Sequence, residues 1–412
     1  AYRTTLAGCR EPASTIQFVR LNNQSRFSDS VILEKFRQQT GQALDTKILE
    51  EDVQRIHALG FLELVRYEVV TENQQTGVVL HVTQDSRGAS FIEWGLDVAG
   101  DGRDNSIDLR LAYLKTDLDK LGSELRVLTQ LGDEPGLNVE LYKPLNTRQR
   151  WILNPRLFAT RQDRRLYDSD GDARQAQEID QLGGSVILAR EFGRHAALFG
   201  GAEYRDGEID VKIGDPAIAS TKFTDGQWFA GFQWDRVDDL YFPGDGLFME
   251  ARYSSSLDTL GADVEYEQAS AVVGIARSFG QHALVGIGRY ATTLDDDAPI
   301  HAEFPAGGFN RLSGFNDNEL VGQHFGMALF SHRYEIGHSR LLPAYIGYTL
   351  EYGNTADERS DLFAEGIFNG SLFVGYRSPV GPLYVGFGFA EGGRNRYFFR
   401  IGSFFGRGDL DR

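Results

Sequence analysis

Cysteine is almost missing from this chain: Cys9 is the only one among 412 residues. No disulfide can form within the chain, and no thiolate-rich metal site can be built. Cys9 lies in a loop-like stretch and reads as a bystander. Proline is scarce at 11 while glycine reaches 47, a balance that suits glycine-relieved curved strands rather than disorder. No stretch approaches the roughly 18 uninterrupted apolar residues of a membrane-crossing helix, which excludes a helical membrane protein. Positive charge is also short. Lys and Arg number 42 against 59 Asp and Glu, a net charge of −17, and no basic cluster stands out, so nucleic acid is not an expected partner.

The usual catalytic constellations are missing too. Gly337-His338-Ser339 continues as Arg340-Leu341 and is no Gly-x-Ser-x-Gly elbow. There is no His-Glu-x-x-His and no phosphate loop, and the eight histidines fall without ligand spacing. Asp168-Ser169-Asp170-Gly171-Asp172 hints at calcium but lacks the later glycine and distal glutamate of a binding loop, so it reads as a solvated acidic loop. The expectation is no catalytic residue, no cofactor and no metal in this segment.

What is present is alternation. From about Ser90 to Phe405, apolar and polar residues alternate in short bursts, roughly one every 20 residues. Leu383, Val385, Phe387 and Phe389 interleave with Tyr384, Gly386, Gly388 and Ala390. Ala344, Ile346, Tyr348, Leu350 and Tyr352 share one face, with Tyr345, Gly347, Thr349 and Glu351 on the other. Ile107, Leu109, Leu111 and Tyr113 stand against Asp108, Arg110 and Ala112. Strands that cross a bilayer need only about 9–11 residues, with lipid on one face and a wet lumen on the other. The mean hydropathy of −0.33 is compatible with this, since only every second residue faces lipid. A soluble β-sandwich alternates as well, but the strands are too many for one. The spacing predicts about sixteen antiparallel strands over residues 87–412. Even parity returns both ends of the barrel to one side. Tight connections fall on that side, at Phe192–His195, Phe279–His282 and Ser378–Pro382, and long polar ones at Thr160–Ala176, Asp206–Lys222, Leu294–Gly322 and Asn354–Phe368 on the other.

Residues 15–86 follow a different pattern. Thr15–Leu21 reads as a strand. Ser28 or Asp29 can cap a helix carrying Val31, Ile32, Leu33 and Phe36, and Asp45 or Thr46 a second with Leu49, Val53 and Ile56, ending at Gly60. Val65–Val69 and Val78–Val82 follow as strands, joined by a turn over Asn73–Gly77. The order is β-α-α-β-β.

This module, with its Leu59-Gly60-Phe61-Leu62-Glu63-Leu64-Val65 junction, resembles a POTRA domain, and the whole chain resembles the POTRA-plus-barrel outer-membrane transporters of the BamA and FhaC type. Two turns add to the likeness. Asp235 to Asp239 running into Phe242-Pro243-Gly244-Asp245-Gly246 is similar to the Asp-rich turn between their strands eight and nine, with Asp235, Pro243 and Gly246 in its key places. Ser378 to Leu383 is similar to the turn before their penultimate strand, and Tyr397, Phe399, Ile401 and Phe405 to their C-terminal assembly signal. A single POTRA module narrows the resemblance to the translocator half of patatin-like autotransporters of the PlpD type.

The resemblance implies a location in the bacterial outer membrane with the POTRA domain in the periplasm. It implies type V secretion, with a phospholipase passenger in cis ahead of this segment. It implies partners in outer-membrane lipids and, during biogenesis, the barrel-assembly machinery and periplasmic chaperones. Ala1-Tyr2-Arg3-Thr4-Thr5 is no signal peptide, and residues 1–14 are expected to be a linker or the remnant of that passenger. Rival readings are a stand-alone translocator or barrel insertase, and a solute channel. The family also carries an Arg-Gly-Phe/Tyr motif in a loop folded into the lumen between strands eleven and twelve. Here Gly314-Phe315 match, while Ser313 occupies the arginine position. The implied lock is Arg311, two residues earlier, paired with Glu351 on strand thirteen.

Overall fold

A computed structural model describes residues 15–60, 62–86, 88–100, 105–167, 173–213, 220–336 and 343–402. Residues 1–14 with Cys9, Phe61, the Asp168–Asp172 run, Gly337-His338-Ser339 and Phe405 lie outside the described residues. The chain forms two compact units. One comprises residues up to Phe91 with Leu114–Leu125 and Leu141–Leu153, the other Ile92–Tyr113, Arg126–Glu140 and Asn154 onward.

The N-terminal module runs β1 (Phe18–Gln24), α1 (Asp29–Lys35), α2 (Thr46–His57), β2 (Leu62–Glu72) and β3 (Gln75–Gln84). The first strand begins three residues later than the pattern suggested; Thr15 makes only an isolated bridge to Ala43. The sheet order is β1-β3-β2, with β1 and β3 parallel and β2 and β3 antiparallel. The hairpin turn is tighter than Asn73–Gly77: two residues, Asn73 and Gln74, take positive φ, matching the right-handed twist of the strands they join. Asp45 caps α2, accepting hydrogen bonds from the N–H of Lys47 (2.9 Å) and Ile48 (3.4 Å). One face of each helix seals the sheet through Val31, Ile32, Leu49 and Ile56 against Val78, Leu80 and Val82.

One charge lies inside that core. Asp52 is fully buried; it accepts the backbone N–H of Arg37 (2.7 Å) and Gln38 (3.3 Å) and pairs with the Arg37 and Arg55 guanidinium groups.

The rest of the chain is a closed barrel of sixteen antiparallel strands, from Ser90–Gly100 to Arg394–Gly402, whose first and last strands pair with each other. Alternation sorts the side chains as the sequence indicates. On the thirteenth barrel strand, Ala344–Ala356, Ile346 (51 % exposed) and Leu350 (54 %) face outward, while Thr349 (0 %) and Glu351 (2 %) are sealed inside. Val385, Phe387 and Phe389 are outward on the fifteenth strand, Gly381–Ala390. At one end the connections Gly193–His195, Gly280–Gln281 and Pro379–Val380 are short, while 116–123 and 236–245 are longer. At the other end the loops expected at 160–176 and 206–222 are largely strand, since Trp151–Tyr167, Ala173–Phe192 and Ala196–Ile213 run on into them. The connection 294–323 at the other end is the longest described, and it carries its own two-stranded pair, Phe304–Ala306 with Leu320–Gly322.

Candidate functional site in the barrel lumen

The 294–323 loop turns inward and is held by Glu351. Two glycines, Gly307 and Gly308, take positive φ and start a tight coil closed by Gly307 N–H to Arg311 O (2.8 Å) and Arg311 N–H to Gly308 O (2.9 Å). The coil delivers Leu312, Ser313, Gly314 and Phe315 to the wall. The Glu351 carboxylate accepts four hydrogen bonds: from Leu312 N–H (2.8 Å), Ser313 N–H (2.7 Å), Ser313 Oγ (2.6 Å) and Thr349 Oγ1 (2.7 Å). Gly314 N–H donates to Asn369 Oδ1 (3.3 Å). Leu312 and Phe315 pack with Ala306, Phe325, Met327 and Leu329 in a dry cluster. Leu312 sits at φ 76°, a left-handed conformation costing on the order of 1–3 kcal/mol. The hydrogen bond to Glu351 and burial of the side chain offset it.

The Arg311–Glu351 ion pair expected from the sequence is replaced by this arrangement. Arg311 donates instead to the carbonyl of Pro305 and lies over the Phe325 ring, 5.8 Å from its centre. The reason is distance. Ser313 brings loop backbone directly onto the carboxylate, and there the backbone N–H groups do the work that a long cationic side chain would do from further away. Glycines on both sides permit that approach. The Ser313 carbonyl sits where a Cβ on Gly388 would be, and a Cβ on Gly314 would come within 2.5 Å of Ala390.

A second segment enters the lumen from the opposite end. The 236–245 connection between the eighth and ninth barrel strands (Thr221–Asp235 and Gly246–Ser256) is built on aspartates. Asp235 Oδ1 accepts Val237 N–H (3.1 Å), Asp238 Oδ1 accepts Gly244 and Asp245 N–H (2.8 and 2.9 Å), and Asp239 Oδ1 accepts Tyr241 and Phe242 N–H (2.9 and 2.8 Å). Gly246, at φ +135°, closes it, and a Cβ there would strike the Arg236 carbonyl. The Pro243 carbonyl is taken by Arg333 on the twelfth strand, His324–Ile336, and Asp239 pairs with Arg377 on the fourteenth, Ile367–Ser378 (2.6 Å). Burial alone would raise the Asp239 carboxyl, but the N–H groups of Phe242 and Tyr241 and the Arg377 guanidinium hold it below the usual carboxylate range. Sequence patterning finds this as a turn; that it reaches across the lumen depends on strands 90 or more residues further along.

Residues 118–405 match the Omp85 superfamily domain. The chain belongs to the Omp85 superfamily. Residues 14–85 match POTRA, described as the surface antigen variable number repeat. The fold is also that of BamA from Haemophilus ducreyi lacking POTRA domains 1–3, at 15% identity and a TM-score of 0.70, covering 95% of this chain and 84% of that one. CdiB from Escherichia coli matches at 11% identity and TM-score 0.64 (95% and 77% covered), and CdiB from Acinetobacter baumannii at 9% and 0.60 (95% and 74%). Omp85 barrels carrying a POTRA module are outer-membrane translocators or insertases rather than enzymes, with the module on the periplasmic side. The 294–323 loop of this Omp85 chain therefore enters its lumen from the outer face and the 236–245 turn from the periplasmic one.

The tip of the outer loop is fixed by charges that sequence reading did not single out. Asp317 pairs with Arg396 and Glu319 with Arg394, both arginines on the last strand of the Omp85 barrel. Asn318 donates to Glu134 (3.1 Å), in the connection between the third and fourth strands, Glu124–Gly132 and Gly136–Pro144. The signal was available: two acids two residues apart and two arginines two residues apart on one strand face.

Burial, with Asp317, Asp108 and Asp163 nearby, pushes the Glu134 carboxyl from its ordinary 4.5 up to about 7. The folded chain thus holds a proton that the unfolded chain releases near pH 4.5. This group's contribution to stability is full below that pH and is lost as pH rises through about 7. The difference is on the order of 3 kcal/mol. Thermal unfolding in detergent should therefore begin lower at pH 8 than at pH 5, and Glu134→Gln should flatten the difference. An unchanged pH dependence in that variant would show that other groups carry it.

Proposed function

We propose that this chain is the translocator part of an autotransporter and carries an N-terminally fused passenger across the outer membrane, in the manner of patatin-like autotransporters of the PlpD type. The passenger class it suits is a patatin-like phospholipase. The observation that carries the reading is a POTRA-type module leading directly into a sixteen-stranded barrel whose lumen is occupied from both ends by its own polypeptide. Those segments are held by hydrogen bonds and ion pairs that can be exchanged for others, which suits intermittent passage of a chain better than steady passage of solute. The Glu351–Ser313 contact is assigned as the lock of the outer loop, with Gly314 and Phe315 seating it and Arg311 bracing its coil. Asp235, Pro243 and Gly246 shape the periplasmic turn.

Unfolded passenger would dock near the module, thread the polar lumen and fold outside, where folding supplies the driving force. The barrel itself would depend on outer-membrane lipids, and on the assembly machinery and periplasmic chaperones during biogenesis. The likeness to BamA and CdiB supports a second reading, a stand-alone translocator or insertase acting on a separate polypeptide. A reporter protein fused ahead of residue 1 separates the two. Exposure of the reporter to protease added outside intact cells is expected. A reporter that stays in the periplasm behind an assembled barrel would overturn export in cis.

A further inference from the structure

Phe242, at the tip of the periplasmic turn, occupies a receptor built from four other strands. Its ring is stacked against Tyr345 (centroids 4.7 Å apart, 27°) and Tyr384 (4.9 Å, 23°), on the thirteenth and fifteenth barrel strands. The guanidinium groups of Arg333 and Arg377 stand over the same ring at 6.0 and 5.5 Å. Phe242 is only 4 % exposed. The backbone on either side is captured as well: the Tyr384 hydroxyl donates to the carbonyl of Tyr241, and Arg333 donates to the carbonyl of Pro243. The receptor therefore reads three things, an aromatic ring, the carbonyl before it and the carbonyl after it. None of them is particular to this turn. Any polypeptide presenting an aromatic residue between two non-helical peptide units offers the same set.

We propose that Arg333, Tyr345, Arg377 and Tyr384 form a binding site in the lumen for aromatic residues of an unfolded polypeptide, and that Phe242 is its resident, self-supplied occupant. A passing chain would displace the turn by offering a competing aromatic side chain, so that the turn withdraws only when there is something to carry. Tyr384 also touches the outer loop, 5.5 Å from the ring of Phe309, so one residue borders both obstructions. The inference rests on the translocator reading for its purpose, but not for its geometry.

The test uses the full chain in detergent and two blocked heptapeptides, acetyl-Gly-Ser-Gly-Phe-Gly-Ser-Gly-amide and its Phe→Ala counterpart, with fluorescence anisotropy of labelled peptide as the readout. Phe242→Ala vacates the place of the ring and leaves the two carbonyl contacts and the Asp239–Arg377 ion pair as the turn's hold on the site. It should bind the Phe peptide at least tenfold tighter than the Ala peptide, and at least tenfold tighter than the unsubstituted chain does. The double variant Phe242→Ala/Tyr384→Ala should lose that preference. Binding of both peptides alike, or of neither, by a Phe242→Ala barrel that keeps its heat-modifiable migration would overturn the proposal. Should that variant fail to fold, Asp239→Ala serves instead. It cuts the Arg377 ion pair and the hydrogen bonds that Asp239 accepts from Tyr241 and Phe242, which loosens the turn's hold on the site while the four receptor side chains remain, so a gain of about threefold for the Phe peptide is expected and no gain overturns the site. Aromatic-selective binding alongside a reporter that stays in the periplasm would remove export in cis and leave the site standing; an exported reporter without selective binding would do the reverse.

Discussion

Glu351→Ala is expected to free the outer loop while the barrel stays closed. The carboxylate takes four donors, and three of them belong to the loop: Leu312 N–H, Ser313 N–H and Ser313 Oγ. All are buried, and each would be left without its acceptor at about 1–3 kcal/mol apiece. The loop can avoid most of that cost by leaving the wall, which also lets Leu312 relax from its left-handed conformation. The wall strand has no such incentive, because its ladder with the twelfth and fourteenth strands does not involve the carboxylate. Protease added to the folded protein should therefore cut within 304–322 at least tenfold faster than in the unsubstituted chain, with heat-modifiable migration retained, and conductance in planar bilayers should rise. Gly388→Ala should reach the same state by the opposite route, since its Cβ would fill the space of the Ser313 carbonyl. Ser313→Ala, which removes one donor and leaves two, should cost only about 1 kcal/mol and cut slowly. A loop as protected in Glu351→Ala as in the unsubstituted chain would mean that the apolar cluster around Phe315 and the ion pairs of Asp317 and Glu319 with Arg396 and Arg394, rather than the carboxylate, hold it.

Asp52→Ala is expected to unfold the POTRA module selectively. Asp52 satisfies the N–H groups of Arg37 and Gln38 just past the end of α1 and neutralises Arg55 on its own helix. Removing one partner from a buried ionic cluster costs about 3–5 kcal/mol, because the N–H groups of Arg37 and Gln38 and the mostly buried Arg55 guanidinium lose the acceptor they share. Domains are stable by only about 5–15 kcal/mol, and a module of this size sits toward the bottom of that range. Trypsin should then degrade residues 15–85 while a barrel-sized fragment survives. Asp52→Asn keeps an acceptor oxygen for the backbone and should sit between. Equal resistance of both variants and the unsubstituted module would show that the helix–sheet packing suffices without the charge.

The sequence carried the architecture because both of its periodicities are local. Strand alternation at residues such as Ile346 and Leu350 against Thr349 and Glu351 needs no knowledge of any distant residue, since successive side chains on a strand must point opposite ways. Sixteen strands, tight turns such as Gly280–Gln281, a helix start at Asp45 or Thr46 and the inward direction of Glu351 all follow from short windows, whereas the loops expected at 160–176 and 206–222 proved largely strand. The partner of Glu351 did not. An arginine two positions from the expected place looks like a substitute when only residue types are visible. The backbone coil set by Gly307 and Gly308, and the empty Cβ positions at Gly314 and Gly388, instead bring the chain itself to the carboxylate. The receptor for Phe242 was less legible still. Its four walls lie 91 to 142 residues along the chain, and each reads alone as one more inward-facing residue of a strand. Barrel closure decides which inward faces meet across the lumen, and that depends on strand number and pairing around the whole ring. Alternation fixes which way each side chain points; only closure fixes what it points at.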